Sequence, residues 1–327
     1  MSTPSGAGSD PADAATLAGR LRDGDLAAAA AVLNLLEGRG EADRERSDAL
    51  QAALSPAALG REAPGAIVGI TGPPGVGKSS LLSRLAGAWR ADSRTVAVLA
   101  VDPSSRRSGG ALLGDRARIE RDAADAGLFI RSTAAGDRLG GLAPATRAAA
   151  SVLAVAFDIV VVETVGVGQS ETDVADLADT VAVIVQPGSG DVLQFLKSGI
   201  MEIPDVLVVT KADLGRPALR TRADLSAALR SLGSRETPVV AVSSVAPPTG
   251  IAELIEALDE HRATLDIAAR RLRSRRHAAL ADVHAELGDR GLRALGGRRA
   301  ALATLSGCDP MLDAATLART LRERALG

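Results

Sequence analysis

The sequence predicts an α/β fold in which a mostly parallel central sheet is flanked by helices, with a helical lead-in before the sheet and a helical arm after it. Short runs of Val, Ile and Leu alternate with helical stretches between residues 66 and 265. Aromatic residues are scarce, with one Trp, three Phe and no Tyr, so aliphatic side chains fill the core, as suits strands buried on both faces. A glycine-rich loop ending in Lys-Ser follows the first strand.

Four regions are predicted along the chain. Residues 1–12 are polar and are expected to be disordered. Residues 13–60 carry leucines and alanines at helical spacing, which predicts the helical lead-in. Residues 61–265 form the sheet-containing domain, and residues 266–327 form the helical arm. The predicted strands are Ala66–Thr71, Thr95–Asp102, Gly127–Ser132, Asp158–Thr164, Thr180–Gln186, Asp205–Thr210 and Pro238–Ser243.

The helical arm begins with a run of arginines. Such a run is more often the solvated face of a helix than a binding site for an acidic partner. Leucines at helical spacing in the same arm offer apolar surface for packing or self-association. The arginines are Arg270, Arg271, Arg273, Arg275 and Arg276, and the apolar residues include Leu280, Val283, Leu287 and Leu295.

Bulk composition excludes several classes of protein. The formal net charge of −2 gives no electrostatic reason to expect nucleic acid as a partner. Cys308 is the single cysteine, so neither a disulfide framework nor a cysteine metal site is available within one chain. No signal peptide and no apolar run of membrane-spanning length is present, which predicts a cytoplasmic protein without a membrane partner.

Residues 72–80 read Gly-Pro-Pro-Gly-Val-Gly-Lys-Ser-Ser and contain the complete G-x-x-x-x-G-K-[ST] phosphate loop between a strand and a helix. The glycines let backbone N–H groups close around a phosphate, and the helix directs its positive N-terminal end at the same anion. Lys78 supplies a positive charge for the β- and γ-phosphates, and the Ser79 hydroxyl is placed to ligate Mg²⁺. A P-loop NTPase is therefore predicted, with Gly72, Gly75, Val76, Gly77, Lys78, Ser79 and Ser80 binding the nucleotide.

Acidic residues end two of the predicted strands. Asp102 ends the second strand, where a carboxylate can order a Mg²⁺-bound water or receive a proton. Glu163 ends the fourth strand as the acid of a Walker B element and would hold the metal through water. Lys78, Asp102 and Glu163 are accordingly the candidate catalytic residues, and Ser79, Asp102 and Glu163 the candidate metal site. Gly166 follows in a candidate switch loop, where its N–H can contact a γ-phosphate.

Thr210-Lys211-Ala212-Asp213 follows the sixth strand and matches the [NT]-K-x-D element for guanine. The Asp213 carboxylate can accept from the N1–H and 2-amino groups of guanine, and the stem of Lys211 can lie along the base. Thr210 replaces the commoner Asn, which removes an amide that braces the phosphate loop, but guanine preference is expected to survive. Ser243 and Ser244, after the last strand, occupy the place of a second base-contacting loop.

Several blocks together resemble the methylmalonyl-CoA mutase-associated GTPases, the MeaB/ArgK family. The most specific is Val162–Glu171, and Pro187–Ile200 resembles an additional mobile loop of that family. The likeness runs from about residue 15 to the end and is tightest over 66–213. The other blocks that carry it are Val101–Ser105, Ser108–Arg116 and Leu139–Gly141.

The resemblance implies a homodimeric G-protein chaperone that binds GTP, GDP and Mg²⁺. It would gate adenosylcobalamin loading of a cobalamin-dependent acyl-CoA mutase, of the methylmalonyl-CoA mutase type, and protect or rescue that enzyme. Dimerisation through the C-terminal helices belongs to the same implication. The switch or partner loops it implies contain Ser108, Gly109, Gly110, Gln169, Gln194 and Lys197.

The residue after the switch glycine predicts slow intrinsic hydrolysis. Ras-like enzymes place there a Gln that orients the attacking water. In this chain the position is Val167, which can neither accept nor donate a hydrogen bond, and Gln169 lies two residues further on. Hydrolysis is therefore expected to accelerate when a partner orders the switch loops.

Three other functions remain open from the residues. A signal-recognition-type targeting GTPase also tolerates Thr-Lys-x-Asp, but it would carry a Met-rich signal-binding segment, and the chain contains only three Met. A metallochaperone GTPase for metal insertion should supply imidazole or thiol ligands, yet His261, His277, His284 and Cys308 are scattered late in the chain. An ATPase or kinase linked to basic amino-acid transport would prefer adenine, against which the element ending in Asp213 argues.

Overall fold

The computed structural model contains one sheet of seven parallel strands in the order β3-β2-β4-β1-β5-β6-β7. The predicted α/β fold is confirmed, and the sheet is wholly rather than mostly parallel. The structure describes residues 12–102, 125–134, 142–164, 169–188, 204–231 and 236–327, with side chains for all of these except 12, 13, 102, 134 and 169–171. Of residues 1–12, which are predicted to be disordered, residues 1–11 lie outside this description, and Ala12 is already the first residue of a helix. The strands are β1 Ala66–Thr71, β2 Val96–Asp102, β3 Leu128–Ala134, β4 Ile159–Glu163, β5 Thr180–Val185, β6 Val206–Val209 and β7 Val239–Ala241.

Twelve α-helices are present among the described residues. Several begin at a side chain that caps the first turn; Asp266, for example, accepts a hydrogen bond from the N–H of Ala269 at 3.0 Å. The longest helix, α10, is kinked at Gly288, where φ is 62°. The helices are α1 Ala12–Arg22, α2 Ala29–Leu36, α3 Glu41–Ala53, α4 Pro56–Leu59, α5 Lys78–Ala91, α6 Pro144–Leu153, α7 Gln169–Leu177, α8 Arg216–Ser231, α9 Ile251–Ala263, α10 Ile267–Ala294, α11 Arg298–Ser306 and α12 Ala314–Leu326.

Successive strand residues face opposite sides of the sheet, and each side carries its own apolar core. In β4, Val160 and Val162 face the core that includes α6, α7 and the N-terminal helices, while Ile159 and Val161 face the core built on α5 and α9. Leu33 and Leu50 of the N-terminal helices are fully buried in the first of these cores. The helical lead-in is therefore a covering layer of the sheet.

The three C-terminal helices, α10, α11 and α12, enclose a small core of their own. Its members are buried aliphatic residues drawn from all three helices, including Leu280, Val283, Leu305, Leu317 and Leu321. The apolar spacing predicted for this region is thus used for packing within the chain. No helix in the described part of the chain is long and apolar enough to cross a membrane.

The interpretation of the arginine run as a solvated face is wrong. Arg271 is 6% exposed and donates two hydrogen bonds, of 2.8 and 2.6 Å, to the carboxylate of Asp179, which is 0% exposed. Arg271 also donates to the carbonyl oxygens of Ala63 and Gly65 at 2.6 and 2.5 Å. Helix α10 crosses the amino-terminal edge of the sheet, so the arginines that face this edge meet carbonyl and carboxylate oxygens instead of solvent.

Two neighbouring arginines, Arg270 and Arg275, also meet oxygen acceptors of the chain. Arg270 donates to the carbonyl oxygens of Ala175 and Ala178 at 3.1 Å, and so satisfies carbonyls at the end of α7. Arg275 pairs with Glu62 at 2.9 Å, whereas Arg273 is exposed.

Candidate functional site

The predicted site residues gather at the carboxyl edge of the sheet. Strand β1 lies between β4 and β5. The chain continues from β1 to β2 on one side of it and later crosses from β4 to β5 on the other side. Open α/β sheets bind their ligands at such a reversal of strand order. The loop after β1 therefore lies beside the end of β4, where Ile70 pairs with Glu163. The ends of β6 and β7 lie two and three strands away on the other side.

The phosphate loop adopts a backbone that requires glycine at two places. Gly77 has φ 97° and directly precedes the first residue of α5, so the helix begins as predicted. A Cβ at Gly72 would lie 2.3 Å from the carbonyl oxygen of Ile184 in β5, because the loop passes close over that strand. This conformation leaves the N-terminus of α5 at the edge of the sheet, in a position suited to an anion.

Lys78 is folded back over the same loop. Its ammonium donates to the carbonyl oxygens of Gly72 at 2.6 Å and Pro73 at 3.0 Å, and the residue is 8% exposed. The positive charge is thus held inside the curve of the loop, where it can serve the oxygens of a bound phosphate.

Ser79 and Glu163 are brought together. The hydroxyl of Ser79 lies 3.3 Å from Oε1 of Glu163, and the carboxylate belongs to a residue that is 7% exposed. The hydroxyl at the start of α5 and the carboxylate at the end of β4 are hard oxygen donors of the kind that suits Mg²⁺. Asp102 ends β2 on the far side of β4, where Ala100 pairs with Glu163, but the side chain of Asp102 lies outside the description.

Two threonines that the sequence reasoning missed fix the start of the candidate switch loop. The Thr164 hydroxyl donates to that of Thr71 at 2.9 Å, and the Thr164 N–H donates to the carbonyl oxygen of Ile70 at 2.9 Å. These bonds hold together the ends of β1 and β4, from which the phosphate loop and the switch loop depart. A threonine directly at each strand end is the signal in the sequence.

Thr210 lies against the phosphate loop. Its hydroxyl is 2.7 Å from the carbonyl oxygen of Val76 and 3.0 Å from that of Val185. Thr in place of Asn does remove the amide, but its hydroxyl reaches the backbone of the phosphate loop itself and can take over the bracing contact.

Asp213 and the loop after β7 form one cluster. The Asp213 carboxylate accepts from the Ser243 hydroxyl at 2.8 Å, and Asp213 itself is exposed at the surface. The carbonyl oxygen of Ser244 accepts from Nε of Arg84 in α5 at 3.0 Å. Arg84 thereby ties the second loop to the helix that follows the phosphate loop, a contact that no local sequence pattern announces.

Lys211 has a left-handed backbone, with φ 56° and ψ 42°. Its ammonium lies 3.4 Å from the carbonyl oxygen of Gly75 and 2.5 Å from Oε1 of Gln186, which directly follows β5. Gln186 is predicted as the last residue of the fifth strand, and the structure instead places it directly after β5, beside Lys211.

The other predicted switch and partner residues lie outside the described side chains. Gln169 is the first residue of α7, but its side chain lies outside the description. Val167 is outside it as well, as are the predicted switch and partner residues Ser108, Gly109, Gly110, Gly166, Gln194 and Lys197.

The histidines are separate from this site and from one another. His277 lies 2.9 Å from the carboxylate of Asp176, and His261 lies 3.2 Å from that of Asp205. Within the part of the chain that the structure describes, no group of three His, Cys, Asp or Glu side chains could hold a metal ion.

Comparison with known proteins agrees with the site. The family model for the methylmalonyl-CoA mutase-associated GTPase MeaB matches residues 29–294. A protein of Pyrococcus abyssi named as a GTPase is 42% identical over 265 residues, covering 79% of this chain and 78% of that one. A Caenorhabditis elegans protein named as a mitochondrial methylmalonic aciduria type A homolog is 37% identical over 254 residues, covering 73% and 63%.

Among solved structures, a crystal structure of a LAO/AO transport system kinase matches with a TM-score of 0.65 and 26% identity. The match covers 97% of this chain and 99% of the other. The match is therefore not confined to the sheet-containing domain.

Proposed function

Because the chain belongs to the family of methylmalonyl-CoA mutase-associated GTPases, we propose that it is a GTP-hydrolysing chaperone of a cobalamin-dependent acyl-CoA mutase. In this role it gates adenosylcobalamin loading and protects or rescues the mutase, with GTP as a timer. The client is a methylmalonyl-CoA mutase or a relative of it.

The proposal that the chain binds a guanine nucleotide rests on one observation: the guanine element is in contact with the phosphate loop. Thr210 contacts the loop at Val76, and Asp213 is held by Ser243 at the same edge of the sheet. A base bound at Asp213 and phosphates bound at Lys78 would therefore belong to one nucleotide.

The roles of the chain's own residues follow from this placement. Backbone N–H groups of residues 75–80 and the Lys78 ammonium bind the phosphates. Ser79 and Glu163 hold Mg²⁺, with Asp102 as the further acid, and the ion when bound neutralises charge on the β- and γ-oxygens. Asp213 accepts from the base edge, and Lys211 lies along its face.

We also propose that the chain hydrolyses GTP slowly when no partner is bound. Val167 offers no group to orient a water, so we propose that hydrolysis accelerates when the mutase orders the switch and partner loops. We also propose that the protein is a homodimer assembled through its C-terminal helices. The apolar core of those helices is closed within one chain, so the dimer surface would lie on their outer faces.

The alternative functions have less support. The match to a LAO/AO transport system kinase keeps a kinase or ATPase of basic amino-acid transport in view. The Asp213 carboxylate argues against it, because adenine has neither the N1–H nor the 2-amino group from which this carboxylate would accept. A metallochaperone role would need a metal-binding cluster, and none is found among the described residues.

The test is nucleotide-dependent binding of the full chain to a purified methylmalonyl-CoA mutase. GDP, a non-hydrolysable GTP analogue and an ATP analogue are compared, with Lys78→Ala as the variant without phosphate binding and Arg273→Ala as a surface control. Guanine-selective binding with stimulated hydrolysis supports the proposal. Guanine binding without contact to the mutase contradicts the chaperone role, and preference for the ATP analogue contradicts the role of Asp213.

A further inference from the structure

We propose that Gln186 is a positioning residue for the guanine base and acts through Lys211, an inference that rests on nucleotide binding at the proposed site. Gln186 directly follows β5, and Lys211 comes two residues after β6. These strands are parallel neighbours, with Val185 opposite Val209, so the residues that follow them meet at the same edge. There Oε1 of Gln186 lies 2.5 Å from Nζ of Lys211.

A lysine needs such a partner if its stem is to support a base. The side chain has four rotatable bonds and loses more conformational entropy on ordering than most residues. Lys211 is exposed, so packing alone does not fix it. The stem can be held straight only if the ammonium at its end is anchored, and the anchor must be an acceptor because an ammonium has donors only.

Two acceptors from the described residues lie near this ammonium, and Gln186 is the nearer of them. The carbonyl oxygen of Gly75 is 3.4 Å away, near the limit of a hydrogen bond, against 2.5 Å for Gln186. Gly75 belongs to the phosphate loop and Gln186 to the end of β5, so Lys211 spans the gap between them. The left-handed backbone at Lys211 persists because its surroundings hold it: the Ala212 N–H donates to the carbonyl oxygen of Val242 at 3.0 Å.

The contact between Gln186 and Lys211 supports the face of the base and makes no contact with the base edge, where purines differ from one another. A stem lying on the face of a purine favours guanine and xanthine alike, since both present the same face. Discrimination between them depends on Asp213, which faces the exocyclic groups at the edge. Loss of Gln186 should therefore weaken both nucleotides in proportion, a signature that general disturbance of the pocket at Asp213 would not give.

The experiment is a double-variant cycle on the full chain, read by equilibrium binding of fluorescent GDP with competition by XDP. Gln186→Leu removes the acceptor at nearly constant size, and Gln186→Glu keeps one. We expect Gln186→Leu to weaken GDP about tenfold, with an unchanged GDP-to-XDP ratio, and Gln186→Glu to stay within about twofold of the parent. In a Lys211→Met background, which keeps the stem and removes the ammonium, Gln186→Leu should change nothing further.

The inference is overturned if Gln186→Leu binds GDP as tightly as the parent does. It is also overturned if Gln186→Leu weakens GDP binding by the same factor in the Lys211→Met background as in the parent. Melting of the nucleotide-free variants, followed by circular dichroism, confirms that they are folded. Failure of the parent to bind any mutase removes the chaperone proposal and leaves these affinities, and therefore the inference, intact. Failure of the parent to bind GDP overturns both.

Discussion

The hydroxyl of Thr210 lies 2.7 Å from the carbonyl oxygen of Val76 and so joins the guanine element to the phosphate loop. These residues are 134 positions apart, and Val76 is 1% exposed. A shared hydrogen bond in a buried place means that the two halves of the nucleotide site cannot move independently without losing it. An amide is therefore not the only group that can serve as the brace at this position.

The hydroxyl, and not the size of the side chain, should decide nucleotide affinity at Thr210. We expect Thr210→Val, which is isosteric, to weaken GDP binding about fivefold, corresponding to roughly 1 kcal/mol for one net hydrogen bond. Thr210→Ser keeps the hydroxyl and should remain near the parent. Isothermal titration with GDP makes the comparison, and equal affinities for the Val and Ser variants would contradict it.

Base preference should follow the functional group at position 213. Asp213→Asn replaces an acceptor by an amide that can donate, which suits the 2-oxo group of xanthine and opposes the 2-amino group of guanine. We expect the GDP affinity to fall at least about hundredfold while the XDP affinity rises relative to it. Competition binding measures the ratio. Since Asp213 is exposed, thermal stability should not change, and an unchanged base preference would show that another group reads the base.

Removal of Mg²⁺ should weaken GDP binding by the parent, but it should have little effect on GDP binding by a variant that lacks the metal-binding hydroxyl. If Ser79 and Glu163 hold the ion, EDTA should weaken GDP binding by the parent about tenfold. In Ser79→Ala the EDTA effect should be largely gone, because that variant is already deprived of the ion. Ser83→Ala, one turn further along α5, is the matched control and should respond as the parent does. A full EDTA effect in Ser79→Ala would remove Ser79 from the metal site.

The sequence was sufficient to predict what depends on residues close together in the chain. All seven strands lie within two residues of their predicted ends, because each is a short aliphatic run bounded by polar or turn residues. Lys78 and Ser79 were placed correctly at the start of α5 because the phosphate loop has a fixed spacing and requires glycine at fixed positions.

Pairings across the sheet could not be predicted in the same way. Gln186 meets Lys211 only because β5 and β6 are neighbours, and that neighbourhood is a property of strand order. The arginine run was misjudged for a related reason. Whether Arg271 meets solvent or a carboxylate is decided by where α10 crosses the sheet, and a count of charges carries no information on that.

The ion pair between Arg90 and Asp125 should make the stability of the fold depend on pH. The Arg90 guanidinium hydrogen-bonds the Asp125 carboxylate at 2.8–3.1 Å and thereby lowers the pKa of Asp125, with a further contribution from the N–H of Gly127. A carboxyl with a lowered pKa in the folded state stabilises the fold above the unfolded-state pKa, which is near 3.9, and loses that effect as the pH falls.

We therefore expect Asp125→Asn to lower the free energy of unfolding by about 1 kcal/mol between pH 5 and 8, since this pair is partly exposed. The difference from the parent should shrink as the pH falls below about 4. Urea unfolding at a series of pH values measures it. Glu256→Gln, at an exposed position in α9, is the control, and a difference independent of pH would assign the effect to shape rather than charge.

The buried pair of Arg271 and Asp179 should be the most costly to break of those described here. Removing the arginine alone leaves a carboxylate that is 0% exposed without its hydrogen-bonded partner and with only the more distant Arg262, at 3.8 Å, as a countercharge, so Arg271→Met should destabilise the protein by about 3 kcal/mol. Arg273→Met, an exposed position two residues away, should change the stability by less than about 0.5 kcal/mol. Urea unfolding compares the two variants, and equal stabilities would show that the pair contributes nothing.

A substitution of Asp179 separates the effect of the buried charge from the effect of lost arginine packing. Asp179→Asn removes the buried charge but keeps an oxygen that can accept from the N–H of Ile67, which now donates to Asp179 at 2.9 Å. The double variant Arg271→Met/Asp179→Asn should therefore be more stable than Arg271→Met alone, because a neutral amide costs less to bury than a carboxylate whose nearest remaining cation, Arg262, lies 3.8 Å away. If both variants are equally unstable, lost packing of the arginine is the cause. GDP affinity should be unchanged in either case, because Asp179 precedes β5 at the amino edge of the sheet and the nucleotide site lies at the carboxyl edge.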